Sequence, residues 1–230
     1  MVGGYSGYAG LSTVERYIPS EGIWQSAPSV TNPRGHGIMT AVINNDLYAI
    51  GGFYNSGICY NTNEMYDRSS DAWVSKAPMP IAMQAGVSAA WNDNVYIFGG
   101  EQSSGTLTTT MIYDTIANSW SYGADIPRER TFGRAVTFDD YIYLIGGARG
   151  SNIIDVYDPV NDLWSSTCNY PGANNCCPVI AQSDNLVYVL ADLYTEPGAT
   201  ECWAGQIPEP ATLLLFGLGC LALRRKHRAK

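Results

Sequence analysis

A ladder of paired glycines constrains this chain more than any other feature. Gly3-Gly4, Gly51-Gly52, Gly99-Gly100 and Gly146-Gly147 follow one another at steps of 48, 48 and 47 residues. In phase with them run Tyr17, Tyr66, Tyr113 and Tyr157, each followed seven residues later by a tryptophan: Trp24, Trp73, Trp120 and Trp164. Another tyrosine stands three residues before each later pair, as Tyr48, Tyr96 and Tyr143, and recurs as Tyr188 where Ala191-Asp192 replaces the glycines. One supersecondary unit is therefore written several times over.

A period of 40 to 50 residues containing four short strands predicts a β-propeller. The first strand of each unit is read at Thr40 to Ile43, Ser88 to Trp91 and Ala135 to Phe138. Asn44-Asn45-Asp46, Asn92-Asp93-Asn94, Asp139-Asp140 and Ser183-Asp184-Asn185 supply tight turns, because Asn and Asp tolerate positive φ. The second strand (Leu47 to Ile50, Val95 to Phe98, Ile142 to Ile145) is almost wholly apolar, as expected of a strand buried on both faces. It stops at the glycines, where the missing Cβ permits a sharp turn. The third strand ends in Tyr-Asp and the fourth carries the Trp, and the repeated Gly, Tyr and Trp are read as structural.

An apolar strand closing on Gly-Gly, followed by a spaced Tyr and Trp, resembles the kelch repeat over residues 1 to 192. The resemblance implies an all-β propeller, with units near 1–30, 31–79, 80–126 and 127–170 and a partial one at 171–195. About four blades are visible; if the ring closes, the last two strands complete the first blade, and otherwise the arc is partial. The chain enters the repeat in mid-blade, so we expect a fragment of a longer protein; the competing expectation is a complete cytoplasmic one. Arg34 and Arg130 stand three residues before a glycine, Gly37 and Gly133, with Arg134 close by, while Met83 and Asn174 replace them elsewhere. In kelch proteins that side of the ring often holds the ligand, so Arg34, Arg130 and Arg134 become binding candidates; the alternative is that they bond neighbouring loop carbonyls. The loops after the glycine pairs, at Phe53 to Cys59, Glu101 to Thr110 and Ala148 to Asn152, sit where binding usually resides on a rigid scaffold. The hydroxyl-rich Thr106 to Thr110 run suits either a sugar or water.

Residues 1–206 hold 8 Lys plus Arg against 20 Asp plus Glu, giving −12, whereas residues 207–230 hold 5 against 1, giving +4. An acidic body excludes nucleic acid as a partner, since that needs a basic patch. The six cysteines show no metal-ligand spacing, and neither a metal nor a cofactor is expected. Outside the cytoplasm Cys168 could bond Cys176 or Cys177; in a reduced compartment all would be free thiols.

The character changes at Ile207, after a linker expected over 196–206. Pro208-Glu209-Pro210 is a stiff break, Ala211 to Leu223 is an uncharged apolar run read as a short hydrophobic helix, and Arg224, Arg225, Lys226 and Arg228 follow. Thirteen residues fall short of the roughly 20 that a span requires. The basic flank nevertheless argues for a membrane segment with a cytoplasmic end and the propeller outside. This layout resembles a PEP-CTERM sorting signal over residues 207 to 230. The resemblance implies recognition of Pro208, Glu209 and Pro210 by an exosortase-like processing enzyme, and delivery to the bacterial envelope or extracellular matrix.

Three functional readings follow. The favoured one is a noncatalytic surface protein whose loops hold a glycan or a protein partner. The second is a kelch-type sugar-modifying enzyme: a copper oxidase fails for want of histidines, His36 being the only one in the body, while a sialic-acid mutarotase could use Glu101, Glu129 or Arg130. The third, an intracellular substrate adaptor, is disfavoured by the tail.

Overall fold

The computed structural model describes residues 1–7, 9–54, 57–147, 152–169, 178–183, 186–192, 200–206 and 224–225. Three successive blades are complete four-stranded antiparallel meanders. Blade 2 comprises Met39–Ile43, Asp46–Ile50, Asn63–Asp67 and Ala72–Lys76. Blade 3 comprises Val87–Trp91, Asn94–Phe98, Thr110–Asp114 and Ser119–Gly123. Blade 4 comprises Arg134–Phe138, Tyr141–Ile145, Ile153–Asp158 and Leu163–Asn169. Each first and second strand begins one residue earlier than the apolar pattern alone marks.

Blade 1 contributes Val14–Ile18 paired with Ile23–Ala27, and Val2 bridges to Val14. Blade 5 holds Val179–Ser183, Leu186–Asp192, Thr200–Gln206 and Arg224–Arg225. Two expectations are corrected here. The last strands do not complete blade 1 but form a fifth sheet of their own, and Thr200–Gln206, within the expected linker, is its third strand, while 196–199 lie outside the described residues. The period could not reveal that strand, because this unit has neither a glycine pair nor a Tyr-x6-Trp. No α-helix occurs among the described residues, and none there is long and apolar enough to cross a membrane. The helix expected over 211–223 lies outside the described residues.

The first strands of neighbouring blades lie side by side around a shared axis. Ser88 Oγ donates to Thr40 O at 2.8 Å and Thr137 Oγ1 to Ala90 O at 2.9 Å, and the first strand of blade 5 lies against that of blade 4. The second strands are buried on both faces, as their sequences require. Turn residues Asn44, Asn45, Asn92 and Asp139 all have positive φ.

The repeated residues are the joints between blades. Gly51 and Gly99 have φ of 58° and 62°, and a Cβ on Gly99 would stand 2.6 Å from Arg130 O of the next blade, so no side chain fits. The second glycine of the first three pairs donates across the joint: Gly4 N to Arg34 O at 3.0 Å, Gly52 N to Met83 O at 3.0 Å, Gly100 N to Arg130 O at 2.8 Å. On the outer strands Trp73, Trp120 and Trp164 donate Nε1–H backwards to Pro28 O, Ala77 O and Ala124 O at 2.8, 2.8 and 2.9 Å. Ala77 N and Ala124 N return the bond to Asn118 Oδ1 at 2.9 Å and Asp162 Oδ1 at 2.7 Å. The same two acceptors also take the hydroxyls of Tyr113 and Tyr157. Burial pushes the Tyr113 hydroxyl up to about 12.

Candidate functional site

Each of the three candidate arginines is accounted for, and two do not face a ligand. Arg34 and Arg130 have no exposed surface. Arg34 pairs through Nη2 with Glu64 Oε2, and its Nη1 donates to Ala49 O at 3.0 Å and Gly51 O at 3.2 Å. Thr31 N holds the other Glu64 oxygen at 2.9 Å. Burial pulls the Arg34 guanidinium below its ordinary value, and the Glu64 charge opposes that fall. Arg130 pairs with Asp155 through Nε and Nη2 at 3.1 and 2.6 Å, and donates to Ile153 O at 2.8 Å and to Gly146 O. Arg128 occupies the second oxygen of Asp155, together with Ser166 Oγ at 2.8 Å.

The expectation of ligand contact is thus corrected for Arg34 and Arg130. A buried guanidinium needs a counter-charge and acceptors, and the third-strand carboxylate and the glycine-pair carbonyl supply them, while Arg34 Nε has no partner among the described residues. Blade 3 replaces both partners at once: Met83 stands at the arginine position and Met111, two residues before Tyr113, at the carboxylate position. Both are fully buried in one apolar cluster. Arg134 is different, being exposed at the start of its strand with Nη1 donating to Gly133 O at 3.0 Å.

What the loops bring together instead is an aromatic cluster, at the end where the second strands stop on their glycine pairs. His36 stacks on Phe53 with ring centroids 4.7 Å apart, and Tyr5 and Phe132 lie 6.2 and 6.4 Å from it. These rings come from blades 1, 2 and 4. Tyr5 and His36 are exposed, while Phe53 and Phe132 are half-buried. Five steps separate Arg34 from Met39, but four separate Met83 from Val87 and Arg130 from Arg134. His36 bridges Phe53 as Gln84 bridges Glu101, so it fills the place Gln84 holds in the next blade, and the extra residue lies elsewhere between Arg34 and Met39.

The cluster is held firmly from below. Ala85 N donates to Gly37 O at 2.8 Å and Phe132 N to Ala85 O at 2.8 Å, linking blades 2, 3 and 4. Both donors sit at φ of 58°, the left-handed region, which is costly for a side chain as bulky as Phe. Gln84, beside Ala85, donates Nε2–H to Glu101 Oε1 at 3.0 Å, and Glu101 follows its glycine pair as Phe53 follows Gly52. Cys59 pairs with Phe53, and its thiol points at Glu101 O, 3.9 Å away. Burial, then the Glu101 charge, pushes that thiol up.

Of the other candidates, Thr110 is buried and donates to Ala124 O at 2.7 Å, which removes it from any sugar contact. No group of three or more metal-ligating side chains occurs among the described residues. The backbone of Cys168 lies in the fourth strand of blade 4, whereas Cys176, Cys177, Pro208, Glu209, Pro210, the run from Ala211 to Leu223, Lys226 and Arg228 lie outside the described residues. Arg224–Arg225 pairs with Ala204 and Trp203 at the edge of blade 5. Phe53 opens a loop that the sequence marks for binding, whereas Tyr5, His36 and Phe132 escape sequence reasoning because their residue types do not repeat from blade to blade. The extra residue between Arg34 and Met39 is a signal in the sequence that marks this stretch.

Comparison with known proteins bears on both parts of the chain. The KLHDC2/KLHL20/DRC7 Kelch-repeats domain matches residues 1–189, and the PEP-CTERM protein-sorting motif matches residues 206–226. Kelch repeat and BTB domain-containing protein 1 of Ectromelia virus (strain Moscow) is 26% identical over 203 residues, covering 84% of this chain and 28% of that protein. Kelch-like protein 35 of Mus musculus is 29% identical over 105 residues, covering 44% of this chain and 18% of that one. The chain therefore spans less than a third of the length of these curated relatives. A solved structure described as "Structure of YjhT" superposes with a TM-score of 0.67 at 16% identity, covering 82% of this chain and 70% of that one; it shows the shared fold.

Proposed function

Because the chain belongs to the kelch-repeat family and carries a PEP-CTERM protein-sorting motif, we propose that it is an exported, noncatalytic binding protein of the bacterial envelope or extracellular space. In this reading an exosortase-like enzyme recognises Pro208, Glu209 and Pro210. The apolar run holds the chain transiently in the membrane, with the basic end from Arg224 to Arg228 cytoplasmic and the propeller outside. The propeller then captures a glycan or a protein partner through its aromatic end. The observation that carries this reading is the convergence of Tyr5, His36, Phe53 and Phe132 from three blades onto one partly exposed patch. Aromatic anchors on a rigid scaffold are the composition expected of a binding hot spot. Arg130, one of the acid–base candidates for a sugar-modifying enzyme, is fully buried on Asp155, which favours binding over catalysis.

Replacing Pro208, Glu209 and Pro210 by alanine in an exosortase-bearing host should leave the protein unprocessed in the membrane fraction, while the parent chain reaches the surface. Equal surface delivery of both would remove the sorting role.

A further inference from the structure

The strand Val14–Ile18 has an open edge. In blades 2, 3 and 4 the second strand covers the matching edge, with Leu47, Val95 and Ile142 opposite Tyr66, Tyr113 and Tyr157. In blade 1 Val2 bridges to Val14, and Met1 exchanges bonds with Glu15: Glu15 N to Met1 O at 2.9 Å and Met1 N to Glu15 O at 2.5 Å. Among the described residues no strand pairs with 16–18 on that side. Backbone groups alternate between the two edges of a strand, so Tyr17, two residues beyond Glu15, aims its N–H and C=O at the open side. Tyr17 is 48% exposed, whereas Tyr113 and Tyr157 are buried. Beside this edge lies a cavity of about 360 Å³, lined by Val14, Tyr17 and Trp24 of blade 1 and by Leu47, Tyr66 and Trp73 of blade 2.

The other blades show what such a cavity accepts. The second-strand tyrosine of one blade meets the third-strand tyrosine of the next edge-on: Tyr48 with Tyr113 at 5.9 Å, and Tyr96 with Tyr157 at 5.8 Å. Tyr66 holds that third-strand place in blade 2, yet among the described residues no ring of blade 1 meets it, and it faces the cavity instead. We infer that this edge takes an extended segment of another polypeptide, in which an aliphatic residue is followed by an aromatic one. The aliphatic residue exchanges two backbone bonds with Tyr17, as Val95 lies opposite Tyr113. The aromatic side chain stands opposite Arg16, as Tyr96 stands opposite Ile112, and enters the cavity against Tyr66. Arg16 already looks onto blade 2 from this face, with Nη1 donating to the Tyr66 hydroxyl at 3.4 Å. Free ladder groups beside an apolar cavity select a peptide, since a lipid covers the rings and leaves the ladder unmet. The described strands of this chain are all engaged in sheets of their own, so the donor is a different polypeptide. None of the residues lining this cavity belongs to the aromatic cluster, and the site does not depend on the reading of that end.

The test is fluorescence polarisation of the full chain with a fluorescein-labelled peptide, Gly-Asn-Val-Tyr-Gly, which copies Asn94-Val95-Tyr96 of blade 3. Two altered peptides accompany it, one N-methylated at its valine and one with alanine for its tyrosine, and the protein variant is Tyr66→Leu. Saturable binding supports the inference if N-methylation weakens it by about tenfold or more, through the lost ladder bond. Loss of the aromatic ring, from the peptide or from Tyr66, should weaken it by about threefold or more. The altered peptides leave the protein untouched, so a fold disturbed by Tyr66→Leu does not decide the outcome. Equal binding of the N-methylated peptide would mean that no strand is added and would overturn the inference, as would no saturable binding of the first peptide. A chain that self-associates and is dispersed by the peptide would make a second copy the occupant and overturn the assignment to a different polypeptide.

Discussion

At the scale of single residues, the same structural position is filled in two chemically opposite ways. Blades 2 and 4 bury Arg34 with Glu64 and Arg130 with Asp155, whereas blade 3 buries Met83 and Met111 at the matching places. A buried ion pair gains little net stability over apolar residues of similar volume, but breaking one leaves an unpaired charge in the interior. Arg34→Ala should therefore destabilise the chain by about 3–5 kcal/mol, since Glu64 would keep its charge with Thr31 alone beside it. Arg34→Met with Glu64→Met, copying blade 3, should recover most of that loss. Urea unfolding of the single and double variants measures both. A double variant no more stable than Arg34→Ala would mean that the guanidinium bonds to Ala49 O and Gly51 O matter more than the charge pairing.

At the scale of elements, the outer-strand tryptophans lock each blade onto the one before it. Trp120 Nε1–H reaches Ala77 O while Ala77 N returns a bond to Asn118, so one residue of blade 2 is held from both sides. Trp24 holds the same place in blade 1 but is 62% exposed, and Gly22 stands where Asp71, Asn118 and Asp162 stand in later blades. The same substitution should thus cost different amounts in the two blades. Trp120→Phe should lose about 1–3 kcal/mol through the orphaned carbonyl, and Trp24→Phe should stay within about 0.5 kcal/mol of the parent, both read from denaturation midpoints. Equal losses would show that the indole acts by bulk alone. These elements were legible in the sequence because each blade repeats them: the glycine pairs, Asn44 and Asp139 in their turns, and the Tyr-x6-Trp. The pairing of Arg34 with Glu64 was not, because only two blades carry it and the carboxylate changes from Glu to Asp. The third strand of blade 5 was missed for a related reason, since Thr200–Gln206 follows a unit that had lost both markers.

At the scale of the whole molecule, a rigid stack of blades is joined to a tail of different composition and opposite charge. Apart from the short pairing of Arg224–Arg225, the described sheet ladders, the glycine joints and the tryptophan locks lie between residues 1 and 206, and the blades are held chiefly by their immediate neighbours. Such an arrangement behaves as a sum of local interfaces, so an end can be removed without disturbing distant blades. The only described pairing that crosses from the tail into the propeller is Arg224–Arg225 against Trp203 and Ala204. A chain ending at Gln206 should consequently keep its β-sheet circular dichroism, and its melting temperature should fall by no more than a few degrees, as expected for a loss near 1 kcal/mol in a domain of this size. Binding at the aromatic end should be unchanged, because Tyr5, His36, Phe53 and Phe132 belong to blades 1, 2 and 4 while the lost pairing is at the edge of blade 5. Cooperative unfolding that shifts by ten degrees or more on truncation would show instead that the tail is part of the propeller, and processing by a sorting enzyme would then dismantle the protein it delivers.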